Sequence, residues 1–448
     1  MSRRRHAATA RLVALEAMVA VESGERANVA VPERLGRSDL DERDRHLVTE
    51  LVYGACRMRR AAAWLIERRL APPRSAEGSK RRAQPQGTAG PKGPPAPTGS
   101  AGLGGRLDAL DPDVRASLLL GVYQLMWTRI PPHAAVAATV EEVRGPGRSL
   151  VNAVLRKVSA DVAERPVDWP DTATRLSYPD WIVELLSTDL GEDEALEALE
   201  AMNRPGRATR RADGYIQDNA SQLVAAYVAS QAGDGPLLDV CSAPGGKATA
   251  IARSTAVARD EAGAGRTPPG PSLVVAADIS ESRARTVASN VTALGCGSVV
   301  PVVADGEHPP WRREAFSTVL LDAPCSGLGV LRRRPDARWR RSRADVQRLA
   351  ALQRRLAEAA WEFLAPGGTF VYSVCTVTDA ETVDFDVWIR DAADWLVALD
   401  PPGPPWRPHG RGALLLPQDC DSDGMFVLGL RSQASSARLA AWEHNADR

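Results

Sequence analysis

The segments LLDVCSAPGGK (237–247), LLDAPCSG (320–327) and FVYSVCTVT (370–378) decide how this chain is read. Each begins as a short apolar run with β-branched residues and ends in polar or small ones. A buried parallel strand has this pattern where its carboxyl end opens into a ligand-binding loop. Two of these ends present a cysteine, Cys325 and Cys375, and the third presents a glycine turn.

Outward from these segments the rhythm is strand–helix–strand. LLDV (237–240), LVVAAD (273–278), VVPVVAD (299–305), TVLLD (318–322) and GTFVYSV (368–374) read as strands. Helical patterns fill 248–259, 281–294, 343–364 and 380–391. This alternation predicts a doubly wound, mostly parallel sheet. A last strand, MFVLGL (425–430), is expected to pair antiparallel at its edge.

A sheet of this kind binds ligands at the carboxyl ends of its strands. The first strand leads into Cys241-Ser242-Ala243-Pro244-Gly245-Gly246-Lys247, whose paired glycines permit a tight turn and close backbone approach. The turn is neither G-x-G-x-x-G nor a phosphate loop, because Ala248 stands where the latter needs Ser or Thr. Carboxylates then end three successive strands. Asp278 suits ribose hydroxyls, Asp305 an adenine amino group, and Asp322 lies beside the expected reaction centre. Together they point to an adenosine-bearing cofactor held without a phosphate motif, and S-adenosylmethionine fits best.

The totals set the frame. A chain of 448 residues exceeds one ordinary core, and its 44% apolar and 25% charged content is that of a globular protein. Net charge is zero, but lysine occurs only at 80, 92, 157 and 247, so the positive charge is arginine and much of it is clustered. Six scattered cysteines without a C-x-x-C pair argue against a disulfide framework or zinc site and fit a reducing cytoplasm. Cys56, Cys296 and Cys420 read as small buried residues. Glu16 interrupts the apolar part of the N-terminal segment, and no run of about 18 apolar residues suggests a membrane span.

The N-terminal part reads as all-helical. Apolar spacing predicts a helix over 12–21, a polar loop, one or two helices over 39–70, and further helices over 111–126, 133–143 and 150–158. His133, after Pro131-Pro132, is a helix-start residue. Arg57, Arg59, Arg60, Arg68 and Arg69 fit a solvated face or an RNA contact. Residues 71–106 are dominated by Pro, Gly, Ser and Ala, too poor in bulky apolar groups to offset their ordering entropy, and are expected to be disordered.

RDRHLVTELVYGACR (43–57), GVYQLMWTRIPPHAAVAATVEEV (121–143) and SLVNAVLRKV (149–158) resemble the NusB-like domain found ahead of certain rRNA methyltransferases. DVCSAPGGK, LLDAPCSG and YSVCT resemble motifs of the RNA cytosine-C5 methyltransferases of the Fmu/Sun/RsmB group, as do GYIQDNASQ (214–222), GVLRRRPDARWR (329–340) and DSDGMFVLGL (421–430). The resemblance implies an all-α NusB-like bundle followed by a Rossmann-like class I methyltransferase domain. It implies S-adenosylmethionine bound by 241–247, Asp278, Asp305 and Asp322, and a catalytic set of Cys375, Cys325 and Asp322.

Cytosine C5 is too weak a nucleophile to take a methyl group from a sulfonium unaided. A thiolate adding to C6 turns the ring into an enamine that can. By resemblance Cys375 is that nucleophile, Cys325 helps resolve the covalent adduct, and Asp322 contacts the N3 and amino edge of the base. A cofactor sulfonium nearby would favour the Cys375 thiolate, while Cys241 lends the cofactor its backbone. Seven arginines between 332 and 343, interleaved with Pro335 and Trp339, are expected to form a phosphate-binding and stacking surface, with a solvated helix face as the alternative. Two departures stand out. Val374 replaces the threonine common before the nucleophile, and 203–217 is too short for the small RNA-binding subdomain many relatives carry there.

The expected organisation is a NusB-like RNA-binding domain (1–160), a helical connector (161–213), a catalytic domain (214–432) and a tail (433–448). The expected protein is a cytoplasmic monomer acting on rRNA of the small subunit. One rival is a non-catalytic RNA-binding or antitermination factor, against which both cysteine motifs speak. A second is a methyltransferase of protein or adenine-N6, but Asp322-Ala323-Pro324-Cys325 is not the [DN]-P-P-[YF] loop of the adenine enzymes.

Overall fold

The computed structural model describes residues 9–70, 105–164, 166–207, 209–262 and 270–433. They form two compact units, one of residues up to Val183 together with Arg334–Arg341, the other of Glu184–Arg333 and Ser342 onward.

The first unit is helical: α1 (Ala10–Glu22), α2 (Ala27–Gly36), α3 (Glu42–Arg57), α4 (Arg59–Glu67), α5 (Pro112–Trp127), α6 (Pro132–Glu142), α7 (Gly147–Glu164) and α8 (Thr172–Leu176). Local chemistry sets the starts. The Thr9 and Asp41 side chains accept from the backbone N–H groups of Leu12 and Asp44, and Pro opens α5 and α6. Val13, Ala17, Leu51, Val52, Leu118, Leu119, Val151 and Leu155 are among the residues of one buried cluster.

Helix α2 falls where the sequence reads as a polar loop. Pro32 and the charged residues around it hide a stripe of only four buried positions, Ala27, Ala30, Val31 and Leu35, which packing rather than propensity makes helical. Of the segment expected to be disordered, 71–104 lies outside the described residues. Arg106 is ordered, donating to the carbonyls of Glu67 and Leu70 at 2.6 Å.

The unit boundary at Val183 falls within α9 (Asp180–Leu190), so the expected 161–213 connector is divided between the two units. After α10 (Glu192–Met202) and α11 (Asn219–Gln231) the second unit builds one sheet. Its strands are β1 (Leu237–Asp239), β2 (Val274–Asp278), β3 (Val299–Val303), β4 (Phe316–Asp322), β5 (Leu364–Val374), β6 (Leu396–Ala398), β7 (Arg407–His409), β8 (Gly412–Leu415) and β9 (Met425–Ser432). Its remaining helices are α12 (Gly246–Ala262), α13 (Glu281–Leu294), α14 (Arg343–Trp361), α15 (Val383–Ala392) and α16 (Pro417–Cys420).

The order β3-β2-β1-β4-β5-β9-β8-β7 is parallel from β3 to β5, and β6 also pairs with β9. Strand β9 is antiparallel to β5 as expected, but it is not the edge, because β8 and β6 cover its outer side. Those strands, like β7, have three or four residues each, too few for a period-2 pattern to show in the sequence. Leu237, Val274, Leu320, Val371 and Val427 form one buried cluster with residues of α11 and α12. Their neighbours Leu238, Val275, Val319 and Phe370, which point the other way, are buried as well. Burial on both faces is why these strands read as continuous apolar runs. The order reverses between β1 and β4, which puts the ligand crevice of such a sheet beside Asp239, Asp278 and Asp322.

No helix among the described residues is long and apolar enough to cross a membrane.

Candidate active site

The glycine turn closes at once after β1. The Gly245 N–H donates to the Ser242 carbonyl at 2.7 Å, and Gly245 has φ +92°, a conformation that favours glycine. Around it, Ser242 N donates to Ala277 O of β2 at 2.8 Å, and Arg211 donates to Gly246 O at 2.8 Å and to the Gln217 side chain at 3.0 Å. The shortened 203–217 segment thus braces the turn through Arg211. The Ser242 hydroxyl is buried beside the Asp239 carboxylate, which it helps to stabilise. Cys241 has its thiol pushed up by burial, as befits an inert thiol that contributes backbone.

The expected carboxylates are distinct in their surroundings. Asp278 is 2% exposed, accepts from Ser280 N–H at 3.0 Å and pairs with Arg283 at 3.1 Å. Asp305 stands two residues beyond the last residue of β3 rather than at its end. The Glu307 N–H holds its carboxyl below the usual range, with help from His308. A small recess beside it is walled by Leu238, Val240, Ala277, Ala304 and Trp311. Asp322 ends β4 and pairs with Lys247 Nζ at 2.8 Å. Burial works against the Lys247 charge, but the Asp322 carboxylate outweighs it and raises the ammonium pKa. The sequence reading gave Lys247 to the cofactor; its described partner is Asp322.

Asp239, at the end of β1, was missed although LLDV carries the same signal as the other acidic ends. It is fully buried, with the Ser242 hydroxyl as its neighbouring polar group. Burial first, then the Asp322 charge, push its pKa up to about 7 against the lowering effects of Ser242 and Lys247.

Cys325 and Cys375 follow β4 and β5, which run parallel in register with Asp322 beside Ser373. The two sulfurs lie 3.2 Å apart. The hydrogen bond from Cys325 lowers the pKa of Cys375 against burial, with Lys247 helping. The same bond, with burial and the Cys375 charge, pushes Cys325 well up. The two thiols are thus pushed in opposite directions, Cys375 toward the thiolate, which is the nucleophilic form, and Cys325 away from it. Beneath them Gly329 N donates to Cys375 O at 3.1 Å and Gly424 N donates to Gly329 O at 2.8 Å. A Cβ on Gly329 would come within 2.2 Å of Gly424 O, which explains the glycines of GVLRRRP and DSDGM.

The arginine run 332–343 is divided: Arg332 and Arg338 are buried, whereas Arg333, Arg334, Arg340 and Arg343 keep exposed side chains, so only part of the surface expected from its composition is available. In the second unit Arg332 is 2% exposed and bonds the Ser422 carbonyl and the Asp421 carboxylate, while Arg333 pairs with Asp423. In the first unit Arg338 is fully buried, 3.8 Å from the Tyr178 ring centre, and Trp339 donates to Cys56 O at 2.6 Å. Arg340 pairs with Asp336. Composition cannot separate these from solvated arginines, because a guanidinium is as readily buried against carbonyls and aromatics as exposed.

Comparisons with known proteins agree with this geometry. The family model for 16S rRNA methyltransferases RsmB/F matches residues 225–431, and that for the NusB family matches 100–160. The ribosomal RNA small subunit methyltransferase B of Vibrio cholerae is 33% identical over 375 residues, 70% of this chain and 80% of that protein. Its namesake from Salmonella paratyphi B is 29% identical, covering 87% and 91%. The crystal structure of PH0851 superposes with a TM-score of 0.68 at 18% identity, over 94% of this chain and 98% of that one, and shares the fold. By these matches the chain belongs to the RsmB/F family of 16S rRNA methyltransferases, as an S-adenosylmethionine-dependent rRNA cytosine-C5 methyltransferase.

Proposed function

We propose that Cys375 attacks C6 of a cytosine in small-subunit rRNA, and that Cys325 and Asp322 complete the catalytic set. The observation that carries this reading is the thiol pair, 3.2 Å apart at two adjacent strand ends and flanked by the Lys247–Asp322 ion pair. The Cys375 thiolate adds to C6, and the electron pair moves to C5. The bound cofactor supplies an electrophilic methyl group. Asp322 accepts from the amino edge of the base, held in place by Lys247.

Release then needs a base for the C5 proton. Before attack, the hydrogen bond and negative charge of Cys375 keep Cys325 protonated. Once Cys375 is a neutral thioether both influences vanish, so Cys325 gives its proton to solvent water more readily. Its thiolate takes the C5 proton, the C5–C6 double bond re-forms, and the Cys375–C6 bond breaks.

The cofactor fits the residues present. Asp278 at the end of β2 and Asp305 just beyond β3 are acceptors suited to hydroxyl and amino donors. Residues 241–247 lie where the ligand crevice opens.

At domain level we assign 1–160 to a NusB-like RNA-binding module, 161–213 to a connector, 214–432 to catalysis and 433–448 to a tail, in a cytoplasmic monomer. The test is methylation of a small-subunit rRNA transcript followed by bisulfite sequencing. The wild-type chain should protect one cytosine and Cys375→Ala none. Unaltered methylation by Cys375→Ala, or methylation only at adenine, would overturn the reading.

A further inference from the structure

Glu381 is fully buried, yet no step described above uses it. It lies in the short 3-10 turn Asp379–Glu381, six residues after Cys375, and its side chain reaches back to the Cys325 loop. Its Oε1 accepts from the Ser326 backbone N–H at 2.8 Å and from Gln353 Nε2 at 3.0 Å. Its Oε2 accepts from the Thr378 hydroxyl at 3.0 Å. The Gln353 amide also donates to Pro324 O at 2.9 Å, while the one proton of the Tyr372 hydroxyl is shared between Gln353 Oε1 at 2.9 Å and Glu381 O at 2.8 Å. A last tie joins the Ser326 and Thr376 hydroxyls at 2.9 Å.

These bonds converge on the two residues flanking Cys325, Pro324 and Ser326, and on the residue after Cys375, Thr376. A carboxylate taken wholly out of water is costly unless it accepts several hydrogen bonds. Here all three come from neutral donors on the Cys325 loop, α14 and the Cys375 loop. We infer that Glu381 is a positioning residue, a clamp whose Oε1 docks the Cys325 loop against Cys375 so that the two sulfurs meet. Its charge is also among the groups that push the Cys325 thiol up. The consequence for catalysis rests on the reading of Cys325 as the base of the release step.

Two readouts on the full chain separate the clamp from that reading. In the first, diamide takes up the two thiol hydrogens and joins Cys325 to Cys375, and peptide mass spectrometry follows the rate. Glu381→Ala should slow this joining at least about tenfold, and Glu381→Gln, which keeps an acceptor oxygen for Ser326 and Gln353, should restore most of it. In the second, with S-adenosylmethionine and rRNA transcript, Glu381→Ala should accumulate a denaturant-resistant protein–RNA adduct, as Cys325→Ala does. Its turnover should fall about a hundredfold, the scale of a misplaced catalytic group, and Glu381→Gln should again recover. A general folding defect would lower adduct rather than raise it. If Glu381→Ala does not fold, Gln353→Leu removes the shared amide and carries the same predictions in weaker form. Wild-type joining in Glu381→Ala, or equal impairment in Glu381→Gln, overturns the clamp. Adduct absent from Cys325→Ala, with joining still dependent on Glu381, overturns the release reading and leaves the clamp supported.

Discussion

The sulfurs of Cys325 and Cys375 lie 3.2 Å apart, closer than their van der Waals separation and within hydrogen-bond reach. The hydrogen bond across that distance pushes two like thiols in opposite directions. Cys375 should alkylate with iodoacetamide at a pH below that of an ordinary thiol. Removing its partner in Cys325→Ala should move the inflection upward, because the hydrogen bond from Cys325 is the largest influence lowering it. Peptide-resolved labelling across pH measures both.

Lys247 acts on the same thiolate from the other side. Its Nζ pairs with Asp322 at 2.8 Å, and its charge lowers the pKa of Cys375. Lys247→Met should raise the pH at which Cys375 alkylates and leave Asp322 unpaired. Turnover should fall by about 10- to 100-fold, the loss expected when one or two charged interactions of about 1.5–3 kcal/mol go. Steady-state methylation of an rRNA transcript checks this.

Buried Asp239 makes stability depend on pH. Its pKa is near 7 in the folded chain and near 3.8 when unfolded, so the folded state binds the proton more tightly. The destabilisation is absent below about pH 4, grows as pH rises, and is full above about pH 7. Asp239→Asn removes the charge, so its advantage over wild type should be largest at pH 8, roughly 2–4 kcal/mol, and should shrink toward pH 5. Denaturant unfolding at the two pH values tests the sign.

Gly329 approaches Gly424 so closely that a methyl group would sit 2.2 Å from its carbonyl oxygen and 3.0 Å from that of Cys375. Gly329→Ala should cost about 1–3 kcal/mol of stability, as overpacking does, and should suppress methylation by shifting the Cys375 loop. Paired melting and activity measurements show both effects.

Arg338 separates structure from RNA binding. It is buried against Tyr178 and donates to Ser177 O at 3.0 Å. Arg338→Ala should lower stability by about 2–4 kcal/mol, through a desolvated cation–π contact and hydrogen bonds to a charge. The salt dependence of RNA affinity should stay unchanged, whereas loss of a phosphate contact would flatten it.

Much of this was legible in the chain. The parallel strands announced themselves as apolar runs because both faces are buried, and Cys325, Cys375 and the acidic ends fall where such runs stop. Helix α2 was not legible, since its buried stripe of Ala27, Ala30, Val31 and Leu35 is narrow and interrupted by Pro32. Strands β6 to β8 were too short to show alternation. Arg332 and Arg338 misled because charge type says nothing of burial, and only the carbonyls, carboxylates and rings facing them decide it. Asp239 and Glu381 escaped for a related reason. Nothing in LLDV or DAET distinguishes a buried carboxylate from a solvated one.

The central claim is a division of labour between two cysteines, and the site of covalent attachment tests it most directly. Cys325→Ala, incubated with S-adenosylmethionine and an rRNA transcript, then digested and analysed by mass spectrometry, should yield a nucleotide-linked peptide attached through Cys375. Cys375→Ala should yield none. A nucleotide attached at any other residue, or full methylation by Cys375→Ala, would contradict the account.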